Sequence, residues 1–249
     1  TLWTRTAGGA FYDYGYSGIE TTDGGFLITG RTSLGASSPN IYLLKYNSAG
    51  TELWFKNYRG ISGGSYGYTV KQTSDDGFLI GGHTNYFGAG EMDVFLLRTD
   101  NLGVTQWAKA YGGAGWEYGY DMQITAEGGI IIAGSTGSFG AGNDDVYLIN
   151  TDELGNVLWS KTYGAIGDET GFAMVQSADG GYMIAAASTS FGSGDNDIYL
   201  IKTDEYGNTL CNTGVGATIV SNATIIEGTP AATYGAGAVV GYYALTSSV

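Results

Sequence analysis

The sequence predicts an all-β fold: a four-bladed β-propeller of four-stranded repeats, about 52 residues each, closed by the N-terminal strand and followed by a β-prone C-terminal extension. Three observations lead there. Trp3, Trp54, Trp107 and Trp159 recur at spacings of 51, 53 and 52 residues. A tight-turn signal recurs in each interval, as TDGGF, SDDGF, AEGGI and ADGGY. Each turn runs into a nearly continuous apolar segment: FLITGRTS, FLIGGHTN, IIIAGSTG and YMIAAAST.

Each repeat holds four strand signals. Strand a is an aromatic-Gly-aromatic step: Tyr14-Gly15-Tyr16, Tyr66-Gly67-Tyr68, Tyr118-Gly119-Tyr120 and, in altered form, Thr170-Gly171-Phe172. The a–b link is a tight hairpin, because glycine takes a positive φ at little cost. Strand b does not alternate, so it is expected to be covered on both faces. A Gly-rich loop leads into strand c: NIYLLKY, DVFLLRT, DVYLINT and DIYLIKT. The c–d link, T-D-x-x-G in three repeats, sets an Asp that bonds its own backbone beside a Gly suited to the left-handed region. Strand d carries the repeating Trp, which belongs to the packing between blades because large aromatics bury the most area.

A four-stranded sheet covered on both faces by its own copies is a propeller blade. A linear solenoid usually has repeats of about 20–45 residues. The chain opens in strand d at Trp3, supplies a to d three times, then a, b and c once more. The first d strand is therefore expected to complete the fourth blade and close the ring. That assigns 1–210 to the propeller and 211–249 to the extension. A fifth blade built by the extension would lack both the DGG turn and the Trp, since Cys211 stands where the next Trp is due.

The pattern W-x-x-x-Y-G-G … D-G-G-[FY]-[LI]-I-x-G-x-T … F-G-x-G-x-x-D-[VI]-Y-L-I-K-T-D-x-x-G-N resembles the repeats of secreted β-propeller proteins of bacteria and archaea. The resemblance covers residues 1 to about 210. It implies a secreted or surface protein, often without catalytic activity. The first repeat departs from it, with LGASSPNIY in place of the acidic loop.

Composition narrows the function. A net charge of −14 argues against nucleic acid, which needs a basic footprint, and against anionic membrane surfaces. One Cys excludes an internal disulfide framework. The extension is the only membrane candidate, and its Gly, Thr, Ser and Pro content suits no membrane span. His83 is the only His, so neither a Ser-His-Asp set nor a zinc site is expected. Glycosidase chemistry would need a carboxylate pair, whereas most carboxylates here recur as turn residues.

The variable loops are the candidate working surface. The b–c loops FGAGEMD, FGAGNDD and FGSGDND bring Asp93, Asp144, Asp145, Asp195 and Asp197, an oxygen-rich set that could hold Ca²⁺. A structural role competes: Asp93, Asp145 and Asp197, with Asn40, occupy one equivalent position and can cap loop N–H groups. No EF-hand spacing is present. Phe11, Tyr12 and Trp116 fall outside the repeat register on d–a loops, as candidate contacts to a glycan or a surface protein.

The extension carries one charge, Glu227, and reads as strands. Left in water it would be an aggregation template. Its own propeller or a neighbouring subunit must cover it. Ile219, Val220, Ile225, Ile226, Val239, Val240, Tyr242, Tyr243 and Leu245 are the expected assembly residues. Asn222 lies in a glycosylation sequon, for which chance occurrence is the simpler account. The leading expectation is a non-catalytic structural protein, extracellular or at the cell surface. It would assemble head-to-tail with copies of itself, as a homopolymer or filament, through its C-terminal strand. The alternative is a Ca²⁺-dependent or lectin-like adhesin using the b–c and d–a loops.

Overall fold

A computed structural model describes residues 3–9, 11–33, 39–59 and 63–209, together with the backbone of three short strands at 214–215, 219–222 and 226–228. The described chain is all-β and antiparallel, with no helix. Sheet 1 orders β1 (Asp13–Glu20), β2 (Phe26–Thr32), β3 (Asn40–Tyr46) and β4 (Glu52–Arg59). Sheet 2 orders β5 (Ser65–Gln72), β6 (Phe78–Thr84), β7 (Asp93–Thr99) and β8 (Thr105–Gly112). Sheet 3 orders β9 (Glu117–Ile124), β10 (Ile130–Thr136), β11 (Asp145–Thr151) and β12 (Val157–Tyr163). Sheet 4 has three strands among the described residues: β13 (Glu169–Gln176), β14 (Tyr182–Ser188) and β15 (Asp197–Lys202).

The turns form for local reasons. In the c–d turns, Oδ1 of Asp100, Asp152 and Asp204 accepts the backbone N–H groups two and four residues on, at 2.7–2.9 Å. The glycines Gly103, Gly155 and Gly207 follow at φ near 74, 72 and 73°. Each is also approached by the Trp of the preceding sheet (Trp54, Trp107 and Trp159 in turn), so a side chain there meets both strain and collision. In the a–b turns, a cation from strand c reaches back: Lys45 to Asp23, Arg98 to Asp75, Lys202 to Asp179. With the neighbouring Thr73 hydroxyl, that contact draws the Asp75 carboxyl down to about 2.

Packing explains the near-continuous apolar strands. Leu27, Ile41 and Leu43 of sheet 1 share a core with Phe78, Ile80, Phe95 and Leu97 of sheet 2. Leu79, Val94 and Leu96 of sheet 2 meet Ile130, Ile132, Tyr147 and Ile149 of sheet 3. Ile131, Val146 and Leu148 of sheet 3 meet Tyr182, Ile184 and Ile201 of sheet 4. Strand β7, between two sheets, is therefore buried at every position; β3 is too, because Phe26, Ile28, Phe55 and Trp3 close its second face, whereas β15 alternates because described residues cover only one of its faces. Trp54, Trp107 and Trp159 each pack on the following sheet. The hydroxyls of Tyr58, Tyr111 and Tyr163 fasten the same junctions, donating to the carbonyls of Gly103, Gly155 and Gly207 at 2.7, 2.9 and 2.6 Å.

The expected closure by the N-terminal strand is not seen. Residues 3–9 carry no strand, and β14 is the only described partner of β15. The segment lies on sheet 1: the Trp3 ring is 5.6 Å from Phe26 and 5.9 Å from Tyr46, and Arg5 Nε donates to the Gly50 carbonyl at 2.9 Å. The described parts of the extension pair with their own chain. β16 (Gly214–Val215) adds to β12, β17 (Ile219–Asn222) to β8 and β18 (Ile226–Gly228) to β4. These parts thus occupy the outer edges of sheets 3, 2 and 1 in turn, edges that would otherwise offer free backbone groups. Among the described residues, no helix is long and apolar enough to cross a membrane.

Leu148 and Leu200 hold the same repeat position, yet one is fully buried and the other 63% exposed. Leu148→Ala is expected to cost about 2–5 kcal/mol, and Leu200→Ala within about 0.5 kcal/mol in dilute protein. Urea titration of both variants measures the contrast.

Candidate functional site

Three surfaces emerge from this frame. The first is the b–c loop edge. Asp93 accepts the N–H groups of Ala89 and Gly90, both at 3.3 Å. Asp145 accepts those of Ala141 and Gly142 at 2.9 and 3.4 Å, and Asp197 that of Ser193 at 2.8 Å. These carboxylates hold their own loops. Asp144 is half-buried and Asp195 exposed. Among the described residues, no three His, Cys, Asp or Glu side chains gather as a metal set.

Sequence reasoning missed two partners here, Glu117 and Glu169. Both are fully buried at the start of strand a. Glu117 accepts the Gly113 N–H and the Thr136 hydroxyl, each at 2.8 Å; Glu169 accepts the Ala165 N–H at 2.8 Å and the Ser188 hydroxyl at 2.6 Å. A side chain at Gly112 would strike Asp93 and Glu117 together, and one at Gly164 would strike Asp145 and Glu169. The junctions between sheets 2 and 3 and between sheets 3 and 4 thus each close over a buried acid pair, where the first junction has Asn40 and Ser65. Burial first, and the facing Glu as well, push the carboxyls of Asp93 and Asp145 up. The signal lay in the alignment of Asp13, Ser65, Glu117 and Glu169 just before each aromatic step.

The second surface is a path of rings along the strand a edges. Tyr16, Tyr68, Tyr120 and Phe172, one per repeat, follow at 4.6, 5.6 and 5.5 Å between centroids. Tyr12 joins through Tyr14 at 6.4 Å, and Trp116 through Tyr118 at 6.2 Å. Tyr12 and Trp116, chosen from sequence as contact residues, therefore extend one aromatic path. Phe11 is exposed nearby in sequence, with no ring contact described. The Arg31 guanidinium stands 4.4 Å over Tyr14 and 5.4 Å over Tyr66. Trp116 is held by its backbone, which pairs with Met92 and accepts the Gly137 N–H at 2.7 Å.

His83 sits inside this path, its ring 4.9 Å from both Tyr66 and Tyr118 and 5.0 Å from Tyr68. It is buried, and its Nδ1 has no hydrogen-bond partner. Burial pushes the imidazole down to about 4, only partly offset by a hydrogen bond with the Gly119 backbone. Its ring is thus packed among the tyrosines and held in the neutral form.

The third surface is a face of sheet 4 that no other described sheet covers. Ile198 is 87% exposed, while its equivalents Ile41, Val94 and Val146 are at 0, 1 and 0%. Phe172, Val175, Met183 and Leu200 are exposed on the same sheet. Of the expected assembly residues, Ile219 and Val220 lie in β17 and Ile226 in β18, paired with their own sheets, as is Asn222. Ile225, Val239, Val240, Tyr242, Tyr243 and Leu245 lie outside the described residues, as does Cys211.

No known protein family matches the chain, and no curated protein matches it.

Unfolded His is protonated below about 6.5, folded His83 only below about 4, so its contribution makes stability fall as pH drops through that window. His83→Phe keeps a ring among the tyrosines and removes the titration. The wild type is expected to lose up to ~3 kcal/mol relative to the variant between pH 7 and pH 4. Denaturant titrations of both proteins across that range measure the difference.

Proposed function

We propose that the chain is a non-catalytic, extracellular surface protein of propeller type whose task is to assemble head-to-tail with copies of itself. The observation that carries this reading is the face of sheet 4 that no other described sheet covers. In three repeats the same positions form the inter-sheet core. An exposed apolar face, with Ile198, Leu200, Val175 and Met183 open to solvent, is a mark of an interaction site. The acidic composition fits a surface protein, and the engagement of the buried carboxylates with loop N–H and hydroxyl groups fits a scaffold.

The C-terminal strand, the expected means of assembly, has its described parts seated on sheets 1 to 3. Assembly in this reading therefore runs through the stacking of sheets. Replacing Ile198 and Leu200 together by Ser and Lys is expected to leave the secondary structure intact and to weaken association by about tenfold or more. Analytical ultracentrifugation over a concentration series reads it. A wild-type chain that stays monomeric at the highest concentration contradicts the proposal.

A second reading, a lectin-like adhesin, is favoured by the ring path from Tyr12 to Trp116, since aromatics dominate contact energetics. Titration calorimetry with a glycan panel, with and without Ca²⁺, should then give heat that Trp116→Ala removes. Absence of heat throughout would reject it.

A further inference from the structure

The N-terminal segment already holds the place of a strand d that lacks its sheet. Trp3 lies against Gly50 as Trp54 does against Gly103, Trp107 against Gly155 and Trp159 against Gly207. Arg5 reaches the Gly50 carbonyl, the atom that Tyr58, Tyr111 and Tyr163 reach in the later c–d turns. The Gly9 N–H donates to Asp13 at 2.7 Å, as the Gly113 and Ala165 N–H groups donate to Glu117 and Glu169. Residues 3–9 are thus arranged on sheet 1 as β4, β8 and β12 are on the sheets that follow them. Those strands pair with β3, β7 and β11, whereas residues 3–9 carry no strand.

The complementary vacancy is at sheet 4. There β15 has β14 as its only described partner, and the chain at Gly214–Val215 is already paired with β12. The faces match in detail as well. A side chain on Gly67, Gly119 or Gly171 would meet Ile41, Val94 or Val146 of the preceding sheet at 3.1, 3.1 and 3.0 Å, so the bare glycine is what lets the sheets close together. Gly15 is the same glycine with no preceding sheet among the described residues, and Ile198 the same branched residue with no following one among them.

We infer that sheet 1 of a second copy covers sheet 4, and that residues 3–9 of that copy add to β15 as its fourth strand. The inference rests on the self-assembly reading and names its surfaces. Register follows from the three internal junctions, where Ile41 pairs Tyr58, Val94 pairs Tyr111 and Val146 pairs Tyr163. By the same count Ile198 pairs Ala7, Leu200 pairs Arg5 and Lys202 pairs Trp3. Docking also brings Asp197 against Asp13, repeating the acid pairs at Gly112 and Gly164.

The test uses the full chain with Cys211→Ser, carrying Ala7→Cys, Ile198→Cys or both. Directly opposed residues on antiparallel strands bring Cβ atoms within disulfide reach. Mixing the two single variants under mild oxidation is expected to give a disulfide-linked dimer, and neither variant alone to give the same yield. A double variant that closes on itself as a monomer, with no dimer from the mixed singles, overturns the inference in favour of closure within one chain. Failure to cross-link in either format, while the uncross-linked chain still associates, overturns strand addition and leaves the self-assembly reading standing. An uncross-linked chain that does not associate at all removes both.

Discussion

Everything in this fold depends on one sheet burying the face of the next. A strand such as β7, with Val94 and Leu96 on one face and Phe95 and Leu97 on the other, cannot be stable in a lone sheet. It needs a neighbour on each side, and the repeat supplies them in order. The tryptophans, the strand a glycines and the tyrosine hydroxyls all serve that contact. The first two let the sheets approach and fill the gap, and the third locks each d strand to the next c–d turn. Two large apolar cores close in this way on either side of sheet 2.

The same requirement makes the ends of the stack informative. On sheet 1, Trp3 lies over Phe26 and Tyr46, a partial substitute for a preceding sheet. On sheet 4 nothing described plays the matching part, and Ile198 and Leu200 stand in the open. An interaction repeated three times inside the chain thus has both of its halves displayed at the two ends. Head-to-tail contacts of this kind close into rings when the rotation permits and run on as filaments when it does not.

The repeat and its four strand signals were legible because each rests on local chemistry. Asp and Gly at fixed offsets give the turns, and unbroken apolar runs give strands covered on both faces. The capping role of Asp93, Asp145 and Asp197 was also within reach, since one recurring position implies one recurring task. Glu117 and Glu169 were not, because a buried acid facing another acid emerges only when strand c of one sheet meets strand a of the next. The path of the extension was hidden for the same reason. Its β-forming residues announce strands, but nothing in them says that β16, β17 and β18 run back along sheets 3, 2 and 1. Closure by Trp3 followed from counting strands, and counting does not reveal how far each sheet turns relative to the last.

The account stands most directly on whether β15 gains a neighbour when chains meet. Hydrogen–deuterium exchange of the peptides spanning β14 and β15, followed from dilute to concentrated protein, measures this. The account predicts that exchange in β15 slows with concentration, together with exchange in residues 3–9, while the cores between sheets 1, 2 and 3 stay unchanged. Exchange in β15 that is the same at every concentration, in a sample that does associate, would contradict it.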